Sequence, residues 1–173
     1  MKVFLYYDTG MKLTEKILRI NNLQEYMGNS ALLNSDIFKE VAQTAQEVTH
    51  SDRASFFIFN SQMRQLETFI AQGLPTKIEV ALGEGIVGNC GQSKQSIIEN
   101  DVDTTKKFNA AIDLGSGYVT TNTLAVPILD NQRELLGVIQ VINKASLNYD
   151  EKDEQLLEKI ASFTAEYIKN NPQ

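Results

Sequence analysis

Two short apolar runs near the middle of the chain have the pattern of buried strands. Residues 123–129 and 135–142 are rich in β-branched side chains, and the polar residues 130–134 separate them. Apolar runs of this length, bounded by turn residues, predict two strands joined in a hairpin. Because a strand that is buried on both faces is apolar throughout, the run at 135–142 also predicts a strand in the centre of its sheet.

The first half of the chain predicts a second hairpin. Residues 53–59 are largely apolar, residues 65–71 alternate between polar and apolar, and the turn residues 60–62 lie between them. Shorter runs at 77–82 and 96–100 predict two further strands. The chain therefore has six predicted strands, and the one at 53–59 is also expected in the centre of the sheet.

Apolar residues recur at helical spacing near the start of the chain. Leu13, Ile17, Ile20 and Met27 form one stripe of a helix expected over 12–27. Such a stripe packs either on its own domain or on a second subunit, and two heptads leave both interpretations open.

Two further helices are expected. One follows the capping residues at 34–36 and is closed by His50, Ser51 and Asp52. We interpret His50 as a surface residue at a helix end, where a cation is favoured. The other closes the chain over 149–170, with Asn148 or Asp150 as its cap and several acidic residues in its first turns.

This order of elements predicts the fold class α+β. We expect a six-stranded antiparallel sheet with the terminal helices on one face and a ligand lid on the other. The lid is residues 101–118, a polar and weakly regular segment of a length that is often functional. We expect a lead-in and helix over 1–30 and a single domain over 31–173.

The glycine-rich residues 82–93 predict a tight turn that feeds a short helix. Gly83 and Gly85 allow backbone amides at the start of this helix to point outward, where they can hold an anion. A tight turn without a ligand is the alternative. A dinucleotide-binding loop is not favoured, since no acidic residue follows a βαβ unit at the required distance.

The composition excludes several classes of function. The net charge is −6 with no basic block, so no nucleic acid is expected as a partner. Cys90 is the single cysteine and His50 the single histidine, which excludes an internal disulfide, a CxxC site and a two-histidine metal site. No apolar stretch is long enough for membrane insertion, and the apolar start is too short for a signal peptide, so a cytoplasmic location is expected.

Several landmarks, in order along the chain, give it a resemblance to a known family. They are residues 83–88, residues 107–109 with Asp113, residues 117–128 and residues 137–144. With these landmarks the chain resembles the GAF family from about residue 37 to residue 168. It is most similar to the cyclic-nucleotide-binding GAF domains of phosphodiesterases and cyanobacterial adenylyl cyclases.

The resemblance implies a regulatory domain that senses a small molecule, with cyclic AMP or cyclic GMP as the ligand between the sheet and the lid. Base contacts would come from near Ser55, and the amides of Ile86 and Val87 would face the phosphate. Gln140 stands where some relatives carry a ligand-contacting glutamate. The ligand-site residues that the resemblance implies are Ser55, Ala71, Gln72, Ile86, Val87, Asp113, Ser116, Thr120 and Gln140.

A dispersed landmark completes the resemblance: Asn143 and Lys144, then Tyr149 where the family usually has phenylalanine, then Asp153 and Glu154. Lys144 follows the last strand and Asp153 lies in the first turn of the closing helix, so their side chains can meet. We expect a salt bridge that fixes where the helix leaves the sheet, at the sheet's edge. Two unrelated surface charges are the alternative, and exposed pairs contribute only about 0–1 kcal/mol.

Three functions are compatible with the sequence. The first is a ligand-binding sensor, and the second is a ligand-free structural dimerisation module of a signalling protein. For either we expect a homodimer through the first and last helices, with Leu13, Ile17 and Ile20 of the first helix and Tyr167 and Ile168 of the last at its surface. The third is an enzyme like the free methionine sulfoxide reductases of the family. We expect no enzyme, because that chemistry needs a resolving thiol and Cys90 stands alone.

Overall fold

The computed structural model describes residues 11–29, 35–71, 77–102, 119–145 and 148–171 of the 173-residue chain. The elements in chain order are α1 (Leu13–Gly28), α2 (Ser35–Thr49), β1 (Ser51–Asn60), β2 (Gln65–Ala71), β3 (Glu79–Ala81), α3 (Gly85–Ser93), β4 (Ile97–Glu99), β5 (Thr123–Leu129), β6 (Leu135–Lys144) and α4 (Glu151–Asn170).

The six strands form one sheet in the order β3-β2-β1-β6-β5-β4, and every neighbouring pair is antiparallel. The predicted α+β class is therefore confirmed, and β1 and β6 are central as expected. The expected boundary between α2 and β1 is wrong. Ser51 and Asp52, expected to close α2, belong to β1, and Ser51 pairs with Lys144 at the end of β6. His50, with φ of 55°, makes the sharp break that allows the strand to begin at once.

Helices α2 and α4 cover one face of the sheet, which we call the helix face. Phe56 of β1 and Ile139 of β6 point to this face and are fully buried. Phe38 of α2 stacks on Phe56 with 4.6 Å between ring centroids, and Leu157 of α4 is fully buried in the same cluster. Continuous burial of large side chains makes this face the main source of stability.

Helix α1 forms an outer layer on α2 and α4. Its Arg19 joins Glu40 and Glu47 of α2 at 2.6 and 2.5 Å, which pins α1 to α2. The expectation that Ile20 and Tyr167 serve a dimer surface is wrong, because both are buried within this chain. Ile20 packs inward because a helix on the outside of a domain buries its apolar stripe against the helices beneath it. Tyr167 belongs to α4, one of those helices.

Helix α3 packs on the opposite face, which we call the α3 face. Its Ile86, Val87 and Cys90 are buried in a second apolar cluster with residues of β1, β5 and β6. Gly83, in the turn before α3, and Gly85, the first residue of α3, both have positive φ, which glycine adopts without strain. At Gly88 a Cβ atom would lie 2.2 Å from the Ala81 carbonyl oxygen, so only glycine permits α3 to approach β3 this closely.

Candidate functional site

Three of the residues expected to contact a ligand lie side by side on the α3 face. Ser55 of β1 pairs with Ala71 of β2 on one side and with Gln140 of β6 on the other. Gln140 in turn pairs with Ala125 of β5. We call these four residues the Ser55 row. Because side chains alternate across a strand, the buried neighbours Phe56 and Ile139 occupy the helix face instead.

The Ser55 row borders the apolar cluster under α3. Phe57 and Val138 follow the same face two residues along from Ser55 and Gln140, and both belong to that cluster. Ser55, Ala71 and Gln140 themselves are only half-buried. Over two residues of each strand, the α3 face therefore changes from a closed apolar core to a surface with half-buried polar side chains.

The side chain of Gln140 is held in place by its neighbour Thr123. Gln140 Nε2 donates to Thr123 Oγ1 at 3.0 Å, and Thr123 Oγ1 donates to the Val141 carbonyl oxygen at 3.1 Å. Thr123 is fully buried. Sequence patterns placed Thr123 in a strand but gave it no role, because the cross-strand pairing that brings it to Gln140 depends on register.

The start of α3 offers backbone amides rather than side-chain charge. The Gly88 N–H donates to the Glu84 carbonyl oxygen at 2.9 Å, which closes the first turn. The amides of Ile86 and Val87 precede this bond, so they have no acceptor within the helix. Their side chains are buried, which leaves the main chain as the part that can meet a ligand. Such a terminus favours an anion.

The remaining predicted contacts belong to the lid and the end of β2. Gln72, Asp113 and Ser116 lie outside the described residues. Thr120 is described and is buried, just before β5. A hydrogen bond joins the start of the predicted lid to the segment that follows it: the Val102 N–H donates to the Thr121 carbonyl oxygen at 3.0 Å.

Asn143 fastens the segment before β5 to the end of β6. Its Oδ1 accepts from the Thr121 N–H at 2.7 Å, and its Nδ2 donates to the Val119 carbonyl oxygen at 2.8 Å. Asn122 adds a bond between the same two segments: its Oδ1 accepts from the Lys144 N–H at 2.8 Å. Asn143 has φ of 54°, a conformation that asparagine tolerates better than most residues.

Lys144 and Asp153 form the predicted salt bridge, and we call this pair the latch. The expectation of a sheet-edge position is wrong, since Lys144 ends the central strand β6. The pair is also not exposed: the side chains are 10% and 3% accessible. A buried pair of this kind needs further hydrogen bonds to offset desolvation. Asp153 has one from the Asp150 N–H at 3.0 Å.

Asp150 caps α4, as one of the two predicted alternatives. Its Oδ1 accepts from the N–H groups of Lys152 and Asp153 at 3.0 and 3.1 Å. The hydrogen bond from the Asp153 N–H lowers the pKa of the Asp150 carboxyl below its ordinary value. Lys16 of α1 lies within electrostatic range of the latch: burial lowers the pKa of its ammonium group, and Asp153 opposes that shift.

Tyr149 joins the start of α4 to two other parts of the fold. Its N–H donates to Asn100 Oδ1 at 2.8 Å, and Asn100 Nδ2 donates to its carbonyl oxygen at 3.0 Å. Its hydroxyl shares a 2.7 Å hydrogen bond with Ser51, which is bonded in turn to Thr49. The Tyr149 hydroxyl, which the usual phenylalanine lacks, therefore joins α4 to the start of β1. The sequence did not predict the role of Asn100, which directly precedes the predicted lid.

Redox and metal chemistry find little support in the described part of the chain. Cys90 is fully buried, and burial raises the pKa of its thiol far above the ordinary value, which disfavours the reactive thiolate. Among the described residues no group of histidine, cysteine or carboxylate side chains is arranged to hold a metal ion. Within the same ranges, no helix is long and apolar enough to cross a membrane.

The structure is a small α+β domain. Helices cover one face of its antiparallel sheet, and the other face carries half-buried polar side chains next to a glycine-preceded helix. The sequence profile of the GAF domain family matches residues 34–168. The chain therefore belongs to the GAF family.

Among curated proteins, the chain is similar to the cGMP-specific 3',5'-cyclic phosphodiesterases of Drosophila sechellia and Drosophila melanogaster. Each is 29% identical over 140 residues, which covers 71% of this chain. The chain spans only 12% of the length of these relatives.

Among solved structures, the GAF domain of a phosphoenolpyruvate-protein phosphotransferase from Coxiella burnetii matches 92% of this chain and 95% of its own. The TM-score is 0.80 at 20% identity. The free methionine-R-sulfoxide reductase of Neisseria meningitidis matches 96% of this chain and 95% of its own, with a TM-score of 0.78 at 15% identity. These likenesses establish the shared fold.

Proposed function

We propose that the domain binds a purine cyclic nucleotide on the α3 face and relays binding through the terminal helices of a dimer. The observation that carries this proposal is the Ser55 row. It sets half-buried Ser55 and Gln140 beside the apolar cluster under α3. The similarity to cGMP-specific phosphodiesterases supports the choice of ligand class.

The chemistry of the two regions suits the two ends of such a ligand. A purine base is flat and apolar on its faces and carries hydrogen-bonding groups on its edge. Half-buried Ser55 and Gln140, next to Phe57 and Val138, can meet both requirements. The cyclic phosphate carries one negative charge, which suits the N-terminus of α3.

Calorimetric titration of the full chain with cyclic AMP and with cyclic GMP tests the proposal. We expect saturable heat with at least one of them and a clear loss of affinity in Gln140→Ala. Gln155→Ala is the matched control, since Gln155 is an exposed residue of α4, the helix that packs on the opposite face of the sheet. Absence of heat and of a thermal shift with both nucleotides, at millimolar concentration, contradicts the proposal.

The second candidate, a ligand-free dimerisation module, is favoured by exposed apolar side chains on α1. Leu13 and Leu18 are each 60% exposed, and Ile17 is 39% exposed. Exposed apolar side chains clustered on one helix indicate an interaction surface. A groove of about 500 Å³ also lies between the second half of α1 and the second half of α4, lined by Met27 and Phe163 among others.

In the proposed sensor this surface is where the signal leaves the domain. Gln140 and Lys144 lie on the same strand, and Lys144 is bonded to Asp153 of α4. A ligand that shifts β6 therefore acts on the start of α4 through the latch. The relay needs a two-state arrangement of these helices, which ligand binding must bias.

Sedimentation of the full chain tests the dimer. We expect a dimer at micromolar concentration, and we expect Leu13→Lys with Leu18→Lys to give a monomer. Met63→Lys is the control, because Met63 is 66% exposed but lies in the turn after β1. A monomer at high micromolar concentration for the unchanged chain contradicts the dimer. It leaves ligand binding to be decided by calorimetry.

A further inference from the structure

The hydrogen bonds around Thr123 fix which way the carboxamide of Gln140 faces. A threonine hydroxyl has one proton to donate and can accept through its lone pairs. Thr123 gives that proton to the Val141 carbonyl oxygen, which can only accept. Towards Gln140 the hydroxyl is therefore an acceptor, and it must meet the NH2 end of the carboxamide, as observed at 3.0 Å.

The opposite orientation of the carboxamide is disfavoured for the same reason. If Gln140 turned its oxygen to Thr123, two acceptors would face each other, or the hydroxyl would have to abandon the Val141 carbonyl oxygen. Thr123 is fully buried, so water cannot repair either loss cheaply. The NH2 end is held on the β5 side of Gln140, and the Oε1 acceptor lies on the side away from Thr123.

The two purines differ at the group that such a carboxamide reads. Adenine carries an amino group at its six-position, which donates, next to a ring nitrogen that accepts. Guanine carries an oxygen there, which accepts, next to a ring N–H that donates. A freely rotating carboxamide can match either base by exchanging its two ends. A carboxamide held in one orientation matches one base and opposes the other.

We propose that Thr123 is a specificity-determining positioning residue, which locks the Gln140 carboxamide so that the site discriminates between the two purine cyclic nucleotides. This inference rests on the proposed function and adds the origin of its selectivity. Thr123 itself needs no contact with the ligand. Its register on β5, diagonal to Gln140 on β6, is what places its hydroxyl under the carboxamide.

The matched variants are Thr123→Val and Thr123→Ser. Valine keeps the branched shape and removes the hydroxyl, whereas serine keeps the hydroxyl. For the unchanged chain we expect the dissociation constants for cyclic AMP and cyclic GMP to differ at least about tenfold, since a mismatched buried polar group is costly. In Thr123→Val the ratio should move towards one by at least about fivefold, with the gain on the disfavoured nucleotide. Thr123→Ser should retain the ratio.

A measurement without ligand separates the lock from the binding. The side-chain amide signal of Gln140 in a 15N–1H spectrum, assigned by its absence from Gln140→Leu, should be protected from solvent exchange in the unchanged chain and in Thr123→Ser. In Thr123→Val that protection should be lost. Chemical denaturation of each variant checks that the Val change leaves the domain folded.

The outcomes distinguish the two proposals. An unaltered Gln140 signal in Thr123→Val overturns the lock. A lost signal with an unchanged ratio of dissociation constants overturns the role in specificity and leaves nucleotide binding intact. Equal affinity of the unchanged chain for both nucleotides does the same. If neither nucleotide binds while the Gln140 signal behaves as expected, the proposed function fails and the specificity inference falls with it.

Discussion

The two faces of the sheet differ in burial and polarity, although adjacent residues of the same strands form them. On the helix face, Phe56 and Ile139 are fully buried against α2 and α4. On the α3 face their sequence neighbours, Ser55 and Gln140, are half-buried and polar. A domain that needed only stability would bury both faces with apolar residues, because polar groups at such positions gain little and must be satisfied. The difference supports the proposal that the α3 face binds the ligand.

Substitutions at neighbouring positions of β1 give the largest contrast between the faces. Phe56→Ala removes a fully buried ring that stacks on Phe38, and we expect it to lower the free energy of unfolding by about 3–5 kcal/mol. Ser55→Ala should change stability by less than about 0.5 kcal/mol and should weaken nucleotide binding. Urea denaturation and calorimetry measure the two effects. Equal destabilisation by both changes would remove the distinction between the faces.

The latch joins the end of β6 to the start of α4. Breaking it tests whether the pair contributes to the free energy of unfolding, to ligand affinity or to both. Lys144→Ala leaves Asp153 buried without its cation, and we expect a loss of about 3 kcal/mol in the free energy of unfolding. Ligand affinity should fall indirectly, as the frame of the site loosens. Lys144→Asp combined with Asp153→Lys should recover part of both losses. A double variant no better than Lys144→Ala would exclude the salt bridge as the cause.

Gly88→Ala probes how α3 is seated on its face. The added methyl group would lie 2.2 Å from the Ala81 carbonyl oxygen, so α3 must move away from β3. We expect a loss of stability of about 2 kcal/mol, typical of overpacking. Nucleotide affinity should also fall, because the amides of Ile86 and Val87 move with the helix. Gly28→Ala is the control, since no atom lies within 4 Å of its added Cβ. Full affinity in Gly88→Ala would argue against phosphate binding at α3.

The smallest effect concerns the cap of α4. Asp150→Ala should lower stability at neutral pH by about 1 kcal/mol, the usual worth of such a cap. Because the pKa of Asp150 is lowered in the folded chain, its contribution is complete above the ordinary value of 3.8 and is lost as the pH falls below it. The difference between the two proteins should therefore shrink below pH 3.8. A pH-independent difference in thermal unfolding contradicts this assignment.

Periodicity predicted the helices and strands well because each is long enough to show its own apolar pattern. The strands at 53–59 and 135–142 were placed in the centre of the sheet on their apolar character alone, and both are central. The α+β class followed from the order of elements. The boundary at His50 was wrong because a single residue with positive φ can end a helix and begin a strand, which composition does not reveal.

The site was harder to predict, since its parts come from distant segments. The resemblance named Ser55, Ala71 and Gln140, and the strand register brings them into one row. It assigned no role to Thr123 or Asn100, because their roles arise from hydrogen bonds across strands and between loops. The edge position expected for the latch was wrong because spacing along the chain shows that two residues can meet but not where their strand lies in the sheet.

Mapping of chemical shifts on ligand binding tests the central claim most directly. The full 15N-labelled chain is titrated with cyclic AMP and with cyclic GMP, and the backbone amide signals are followed. Saturable shifts are expected at Ser55, Gln140, Ile86 and Val87, with smaller changes passing through Lys144 to the start of α4. Shifts confined to α1 and the end of α4, or no shifts at all at millimolar nucleotide, would contradict the claim that the α3 face is the ligand site.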